Sequence, residues 1–201
     1  MIRPEGHPIL AAALDVLMLP LAGVRPRIVN LAEGRVLEIG VGTGLNLAHY
    51  ERATELHAIE PDPHMRRRAE ARAHGLSIPV TVHAAGAEAM PFPDAFFDTV
   101  VATFVFCTIP DPEAAAAEVV RVLRPGGRLL FAEHVRSTVG PVYAAQRTVD
   151  PLWQRLAGGC HLTRDPVALF AAAGVTELEV HRRGAAWAPM PVVTGQGRRA
   201  G

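Results

Sequence analysis

The segment 36–44, with the sequence VLEIGVGTG, constrains the fold more than any other part of this chain. A short apolar run ends in an acidic residue, and glycines then occupy the alternate positions Gly40, Gly42 and Gly44. This pattern predicts a buried strand, a tight turn and a helix that starts directly after it. Because glycine has no Cβ, such a turn lets the backbone approach a bound ligand closely.

A carboxylate follows the next apolar run along the chain. Glu60 comes sixteen residues after Gly44, at the end of the second predicted strand. An acid at this place can accept hydrogen bonds from both hydroxyls of a ribose. The glycine turn and Glu60 together predict a nucleoside cofactor, but they do not say which one.

Two later blocks narrow the choice of cofactor. Residues 90–98 read MPFPDAFFD, and residues 119–130 read VVRVLRPGGRLL. Together with the glycine turn, in this order and spacing, they resemble the class I S-adenosylmethionine-dependent methyltransferases of type 11. A nicotinamide-binding fingerprint prefers glycine where this chain has Leu45, which disfavours a nicotinamide oxidoreductase. The resemblance implies S-adenosylmethionine as cofactor, S-adenosylhomocysteine as product and a single-domain Rossmann-like methyltransferase fold.

Four further blocks, at residues 103–109, 131–135, 150–153 and 159–164, point to a narrower group. They resemble the methyltransferase-like thiol S-methyltransferases of animals and their bacterial relatives. This resemblance implies methyl transfer to a small-molecule acceptor, with a thiol of an apolar molecule favoured. The group borders on phospholipid and quinone methyltransferases, so methylation of a lipid or quinone at a membrane surface stays open. A catalytically silent cofactor-binding protein is the third alternative.

Strand-like and helix-like runs alternate along the chain, which predicts a mostly parallel seven-stranded sheet with helices on both faces. Strands are expected at 35–40, 55–60, 79–83, 98–102, 128–133 and 175–180, with a last edge or irregular strand at 187–194. Helices are expected at 8–19, 45–52, 63–74, 112–123, 142–157 and 166–173. The expected domain plan is an N-terminal helical cap over the active site at 1–34, a catalytic domain at 35–194 and a frayed tail at 195–201.

The resemblance places the cofactor residues at the carboxyl ends of the predicted strands. The glycine turn and the helix after it are expected to face the methionine part of the cofactor. Members of the family often have an acidic residue near the adenine, and the aligned position in this chain is Gly86. Adenine recognition is therefore expected from the backbone of Ala87 and Glu88 or from the Glu88 side chain. The full set of expected cofactor residues is Glu38, Gly40, Gly42, Thr43, Gly44, Asn46, Glu60, Pro61, Met65, Ala87, Glu88, Thr103 and Phe104.

Two residues of this set have alternative roles. Thr43 either donates its hydroxyl to the cofactor or caps the helix after the turn. Glu38 either holds the turn by accepting backbone N–H bonds or contacts the amino end of the cofactor through water. The sequence leaves both choices open.

Histidines on loops after the predicted strands are candidate general bases. His134 follows the fifth predicted strand and is the first candidate, with a structural, hydrogen-bonded histidine as its alternative. His161 is the second candidate. Asp150 either orients one of these histidines or caps the segment before Pro151.

The cysteines Cys107 and Cys160 are expected to be buried small side chains. Methyl transfer from a sulfonium needs no covalent intermediate, so neither is required as a nucleophile. The nine histidines show no ligand-type spacing with the two cysteines, so no metal site is expected.

Charge and hydropathy bear on partners and location. The chain has 20 basic and 20 acidic residues, so a nucleic-acid partner has no electrostatic support. The apolar run 9–23 is interrupted by Asp15 and Pro20 and is shorter than the about 20 apolar residues that span a bilayer. It is expected to cover the cofactor site as a helix or, alternatively, to make peripheral membrane contact. Two cysteines without a cleavable signal pattern predict a cytoplasmic location, whereas the oligomeric state does not follow from the sequence.

Overall fold

A seven-stranded sheet forms the centre of the computed structural model, which describes residues 15–16, 21, 23–185 and 187–201. The strands are β1 Glu33–Ile39, β2 Arg52–Ile59, β3 Val80–His83, β4 Phe97–Thr103, β5 Leu123–His134, β6 Val175–Arg183 and β7 Val192–Arg199. Their order is β3-β2-β1-β4-β5-β7-β6. The strand β7 runs antiparallel to its neighbours β5 and β6, and the other pairs are parallel. The prediction of a mostly parallel sheet of seven strands is confirmed.

Five α-helices lie in the described part of the chain. They are α1 Arg25–Val29, α2 Pro63–Ala73, α3 Pro112–Val122, α4 Gly140–Leu156 and α5 Pro166–Ala172. The helices α2, α3 and α5 each begin at a proline, and an aspartate before it accepts a backbone N–H of the first turn. Four predicted helices are confirmed to within two residues at each end. The predicted helix 8–19 and most of the cap 1–34 lie outside the described residues, although Asp15 and Val16 are helical.

The sheet has an apolar core on each face, because successive strand residues point to opposite sides. Leu37 and Leu129 pack in one buried cluster with side chains of α3 and α5. Val36 and Leu130 pack in a second cluster with side chains of α1 and α2. Helices therefore cover both faces, as predicted.

The predicted helix at 45–52 is wrong. Only one 3-10 turn, Leu47–His49, follows the glycines. At Tyr50 the backbone leaves the helical region (φ −86°, ψ 61°), and β2 already begins at Arg52. The residues between Gly44 and β2 therefore form turns and one 3-10 turn, and no α-helix starts directly after the glycines.

The prediction for the C-terminus is also wrong. The strand lies at Val192–Arg199 instead of 187–194, and it is an inner strand of the sheet instead of an edge or a frayed tail. Pro189 and Pro191 precede it, so neither proline removes a hydrogen bond from the sheet. Gly195 is required within β7, because a Cβ there would lie 2.5 Å from Cζ of Phe131. The sequence predicted that this glycine belongs to a frayed tail, but the packing of β7 against Phe131 requires it.

No described helix combines the length and the apolar character needed to cross a bilayer.

Candidate cofactor and acceptor site

The glycine turn sits at the carboxyl end of β1 and needs glycine for two separate reasons. Gly40, Gly42 and Gly44 have φ of 62°, 56° and 89°, a region that side chains disfavour. A Cβ at Gly40 would overlap the side chain of Val105. A Cβ at Gly44 would lie 3.0 Å from the Cα of Ala69 in α2. The turn therefore packs closely against Val105 and α2, and a side chain at Gly40 or Gly44 would disrupt this packing.

Glu60 holds this turn from the end of β2. One carboxylate oxygen, Oε2, accepts the N–H of Gly42 at 2.9 Å, and Oε1 accepts the N–H of Asp62 at 2.9 Å. The side chain is buried, and this burial raises its pKa. A carboxylate offers about four acceptor positions, so two remain for ligand hydroxyls. The sequence predicted Glu60 as a ligand residue but not as the support of the turn.

Glu38, at the end of β1, bonds to a side chain instead of the backbone of the turn. Its Oε1 accepts the side-chain amide of Asn46 at 2.6 Å, and that amide also donates to the Thr103 hydroxyl at 2.9 Å. No backbone N–H of the turn donates to Glu38, so its predicted turn-holding role is wrong. Its Oε2 is buried without a hydrogen bond of standard geometry, although the nearby Tyr50 hydroxyl helps to lower its pKa. Burial outweighs these contacts and raises the pKa of Glu38 to about 7.

This shifted pKa predicts a pH-dependent stability. The folded state holds a proton on Glu38 up to about pH 7, whereas the unfolded state loses it near 4.5, so stability falls as the pH rises between these values. In the Glu38→Gln variant this loss is absent. We expect the free energy of unfolding of the variant, relative to the parent, to improve by up to about 3 kcal/mol between about pH 5 and about pH 8.

Urea titrations across this pH range measure the effect. The exposed Glu70→Gln on α2 is the matched control, and its difference from the parent should not change with pH. If the Glu38→Gln and parent curves stay parallel, Glu38 titrates normally in the folded protein.

Arg25 of α1 is a site residue that the sequence did not reveal. Its Nη1 donates to Oδ1 of Asn46 at 3.1 Å and to the Thr103 hydroxyl at 3.2 Å. Its guanidinium carbon lies 5.3 Å from the ring centroid of Phe104, close enough for a cation–π contact. Its Nε is buried without a hydrogen-bond partner among the described residues. The residue belongs to no motif, so only the packing of α1 against the sheet places its charge here.

Thr43 is tied to the N-terminal segment. Its hydroxyl donates to Oδ1 of Asp15 at 2.5 Å, and Arg72 of α2 donates to the Thr43 carbonyl at 2.7 Å. Arg72 also forms an ion pair with Asp15. Because no helix follows the turn, the helix-capping alternative for Thr43 is wrong. Asp15 instead brings part of the N-terminal segment over the glycine turn.

The predicted adenine residues follow β2 and β3. Pro61 and Met65 are half-buried directly after Glu60, and Ala87 is buried. Glu88 folds back, so that its Oε2 lies 2.7 Å from the position that a Cβ of Gly86 would take. The Glu88 carboxylate thus lies over the place where the resemblance puts the family's acid, which favours the Glu88 side chain among the alternatives.

His134 lies at the end of β5 and is buried. Its Nε2 is 2.9 Å from Sγ of Cys160, and its Nδ1 is buried without a partner among the described residues. Burial lowers the pKa of His134, but the hydrogen bond to Cys160 and the charges of Cys160 and Glu133 outweigh it, so the pKa is raised. Both cysteines are free thiols and buried, as predicted. The structure therefore pairs His134 with Cys160.

His161 pairs with Asp150 instead. Its Nδ1 lies 3.6 Å from Oδ2 of Asp150, and its side chain is 32% exposed. Burial lowers the pKa of His161, so the neutral ring predominates at neutral pH. Asp150 lies within α4, which continues through Pro151, so its predicted role as a cap before that proline is wrong. Of the two candidate histidines, His161 is the one that the structure places beside Asp150.

Comparison with known proteins agrees with this geometry. Residues 37–131 match the methyltransferase domain family. Human thiol S-methyltransferase TMT1B is 34% identical over 158 residues, which is 76% of this chain and 65% of that protein. Phosphatidylethanolamine N-methyltransferase of Cereibacter sphaeroides is 37% identical over 123 residues, covering 60% of this chain and 61% of that protein. Geranyl diphosphate methyltransferase, solved in complex with S-adenosylmethionine, superposes with a TM-score of 0.73 at 14% identity, covering 98% of this chain and 94% of that one.

These likenesses differ in what they establish. The chain spans 65% of the length of both the rat and the human thiol S-methyltransferase TMT1B. The superposition at 14% identity concerns the fold alone. The sheet order, the glycine turn at the end of β1 and the match over residues 37–131 point to the same conclusion. The chain therefore carries a methyltransferase domain of the class I, S-adenosylmethionine-dependent family.

Proposed function

We propose that this protein binds S-adenosylmethionine at the carboxyl ends of β1, β2 and β4 and transfers its methyl group to the sulfur of a small, apolar thiol. The observation that carries this proposal is the buried carboxylate of Glu60, which fixes the glycine turn and keeps acceptor positions for two ribose hydroxyls. The likeness to thiol S-methyltransferases supports the choice of a thiol.

The methionine part of the cofactor is proposed to lie against the glycine turn. The turn is made of glycines with positive φ, which suits a backbone that a ligand approaches closely. Arg25, whose Nε has no hydrogen-bond partner among the described residues, offers a cation for the methionine carboxylate. The buried Glu38 offers a carboxyl group for the amino group of the methionine, and that positive charge would favour its ionised form. Asn46 joins the two charged groups. This pairing matches the zwitterionic end of the cofactor.

The adenosine part is proposed to extend toward β2 and β3. Glu60 accepts the ribose hydroxyls, and Glu88 or the backbone at Ala87 recognises the adenine. The half-buried Pro61 and Met65 supply apolar surface for the adenine ring. The remaining proposed cofactor contacts are Gly42, Thr43, Gly44, Thr103 and Phe104.

Methyl transfer from a sulfonium is an in-line displacement. The acceptor sulfur bonds to the methyl carbon while the bond from that carbon to the sulfonium sulfur breaks, which leaves S-adenosylhomocysteine. Because the donor is already activated, the protein mainly aligns the acceptor and excludes water. A thiol with a pKa of about 8.5 is partly ionised at neutral pH, so it needs only modest help from a base.

His161 is the better placed of the two candidate bases. Its ring is partly exposed, Asp150 orients it, and burial keeps it neutral and able to accept a proton. His134 has a buried ring, and its Nε2 already contacts Cys160. We therefore propose that His161, beside Asp150, accepts the proton. His134 is instead the hydrogen-bond partner of Cys160.

His161→Asn is expected to lower the turnover number roughly tenfold or more at neutral pH, since the acceptor thiol loses its base. The affinity for S-adenosylmethionine should not change. The loss should shrink as the pH rises toward the pKa of the thiol, because the thiolate then forms without help. Rates of S-adenosylhomocysteine release across the pH range measure this effect.

The exposed His181→Asn on β6 is the matched control and should keep the parent rate. If His161→Asn matches the control at every pH, His161 has a structural role only.

Methylation of a phospholipid amine is the second candidate. The likeness to phosphatidylethanolamine N-methyltransferase favours it. So does an exposed apolar stripe on α4, formed by Val149, Leu152 and Leu156, which are 49%, 60% and 73% exposed. The apolar segment 9–23, proposed above as a peripheral membrane contact, lies mostly outside the described residues. Methyl transfer that requires phospholipid vesicles would support this alternative over a soluble thiol.

A further inference from the structure

Three potential metal ligands lie close together near the carboxyl ends of β4 and β5. Cys107 follows β4, His134 ends β5 and Cys160 follows α4. Their ligand atoms all lie within 4.8 Å of one another, and all three side chains are buried. The proposed methyl transfer needs none of them as a nucleophile. Their separations along the chain are 27 and 26 residues, so sequence spacing alone did not reveal the cluster.

We propose that Cys107, His134 and Cys160 form a binding site for a thiophilic divalent cation, with zinc as the ion. Two thiolates and one imidazole are a common ligand set for zinc. With bonds of about 2.3 Å to sulfur and about 2.0 Å to nitrogen, tetrahedral ligand atoms lie roughly 3.5–3.8 Å apart. The separation of 2.9 Å between Nε2 of His134 and Sγ of Cys160, and the 4.8 Å limit for the whole cluster, bracket this range. Shifts of about 1 Å or less would therefore complete three of the four corners.

The charges around the cluster suit a dithiolate site. Arg164 donates to the carbonyl oxygens of Phe106 and Ile109 at 2.7 and 2.6 Å, which fixes a cation beside the two cysteines. A nearby cation stabilises thiolates, and the thiolate is the form that binds a metal. Two thiolates neutralise a divalent ion, so the bound cluster would have no net charge to repel Arg164. If all the ligands were neutral, the bound ion would keep its positive charge and would be repelled by Arg164.

The contact within the cluster supports the same assignment. Nε2 of His134 lies 2.9 Å from Sγ of Cys160, so the imidazole and the thiol already share one proton between them. A metal ion would replace this shared proton, which is the usual exchange when zinc binds cysteine and histidine.

The ion would connect three segments of the chain, which are those that carry Cys107, His134 and Cys160. Backbone N–H groups of Val105 and Phe106 already donate to the buried Glu133, which orders the loop that leads to Cys107. His161 follows Cys160 directly, and its N–H donates to the Cys107 carbonyl at 2.9 Å. A metal bound to Cys107 and Cys160 would therefore hold the proposed base in place without contacting the cofactor.

Zinc content is the first test, and it needs neither cofactor nor acceptor. The reduced protein, purified without chelators and incubated with zinc, should retain about one ion per chain by mass spectrometry. Cys107→Ser and Cys160→Ser should each lower the zinc affinity by more than tenfold, whereas His181→Asn should retain the ion. Equal zinc retention in the folded cysteine variants and in the parent would overturn the proposal, because the ion would then lie elsewhere.

A second measurement uses the unaltered protein, so it does not depend on whether a variant folds. Added cobalt should produce the near-ultraviolet charge-transfer absorption of thiolate-bound cobalt, and excess zinc should abolish it by displacement. Absence of this absorption in the reduced protein would overturn the proposal. Neither readout depends on methyl transfer, so failure of the zinc site and failure of the proposed function are distinguishable.

Discussion

Glu60→Ala is expected to weaken binding of S-adenosylmethionine by more than tenfold. The carboxylate is proposed to accept two ribose hydrogen bonds, and each charge-assisted bond contributes roughly 1.5–3 kcal/mol. The same side chain accepts the N–H groups of Gly42 and Asp62, so its removal also frees the glycine turn. Both effects act in the same direction.

Calorimetric titration with S-adenosylmethionine and S-adenosylhomocysteine measures this loss, with NAD as a control ligand that should not bind. Glu70→Ala, an exposed glutamate on α2, is the matched control and should bind both sulfur nucleosides as the parent does. Unchanged affinity in the Glu60→Ala protein would contradict the proposal that Glu60 binds the ribose hydroxyls.

Gly40→Ala is expected to lower the free energy of unfolding and to abolish cofactor binding together. The residue has φ +62°, which costs a side chain about 1–2 kcal/mol. The new Cβ would also overlap Val105, and forced overpacking of this kind costs typically about 1–3 kcal/mol more. Because the methionine part of the cofactor is proposed to lie against this turn, its displacement should remove the binding site as well.

Gly75→Ala separates the two contributions. Gly75 has φ +87° after α2, but no atom lies within 4 Å of the place that its Cβ would take. This control should show only the backbone cost in a urea titration and should keep cofactor binding. Equal losses of stability in the two variants, with binding retained in both, would contradict the close approach at Gly40.

The sequence predicted those features that depend on local pattern. The glycine turn, Glu60 at the end of β2 and the Asp-Pro starts of α2, α3 and α5 each rest on a short run of residues with a direct physical reason. The strands β1, β4 and β5 followed from apolar runs that are largely buried, whereas the edge strands β3 and β6 are mostly half-buried or exposed. Local pattern was therefore enough for the fold class and for the position of the glycine turn.

The errors have two different causes. The helix expected after Gly44 is replaced by one 3-10 turn, and β2 begins three residues before the predicted start at 55. The C-terminal glycines were predicted to form a frayed tail, yet Gly195 packs on Phe131 within β7. This contact between distant parts of the chain leaves no signature in the sequence near Gly195.

The site residues that the sequence missed depend on tertiary packing in the same way. Arg25 reaches Asn46 and Thr103 only because α1 packs on the sheet. The cluster of Cys107, His134 and Cys160 forms where β4, β5 and the segment after α4 meet. The distances between these residues along the sequence indicate neither the Arg25 contacts nor the cluster.

The most direct test of the account is the fate of the methyl group. S-adenosylmethionine with a deuterium-labelled methyl is incubated with the protein and a small apolar thiol, its hydroxyl and amine analogues, or phosphatidylethanolamine vesicles. Mass spectrometry then follows the label. We predict a labelled S-methyl thioether and S-adenosylhomocysteine in equal amounts, from the thiol alone, with the reaction strongly reduced in the Glu60→Ala protein. Binding of S-adenosylmethionine without a labelled thioether from any thiol, or labelled product only from the lipid amine, would contradict the proposed function.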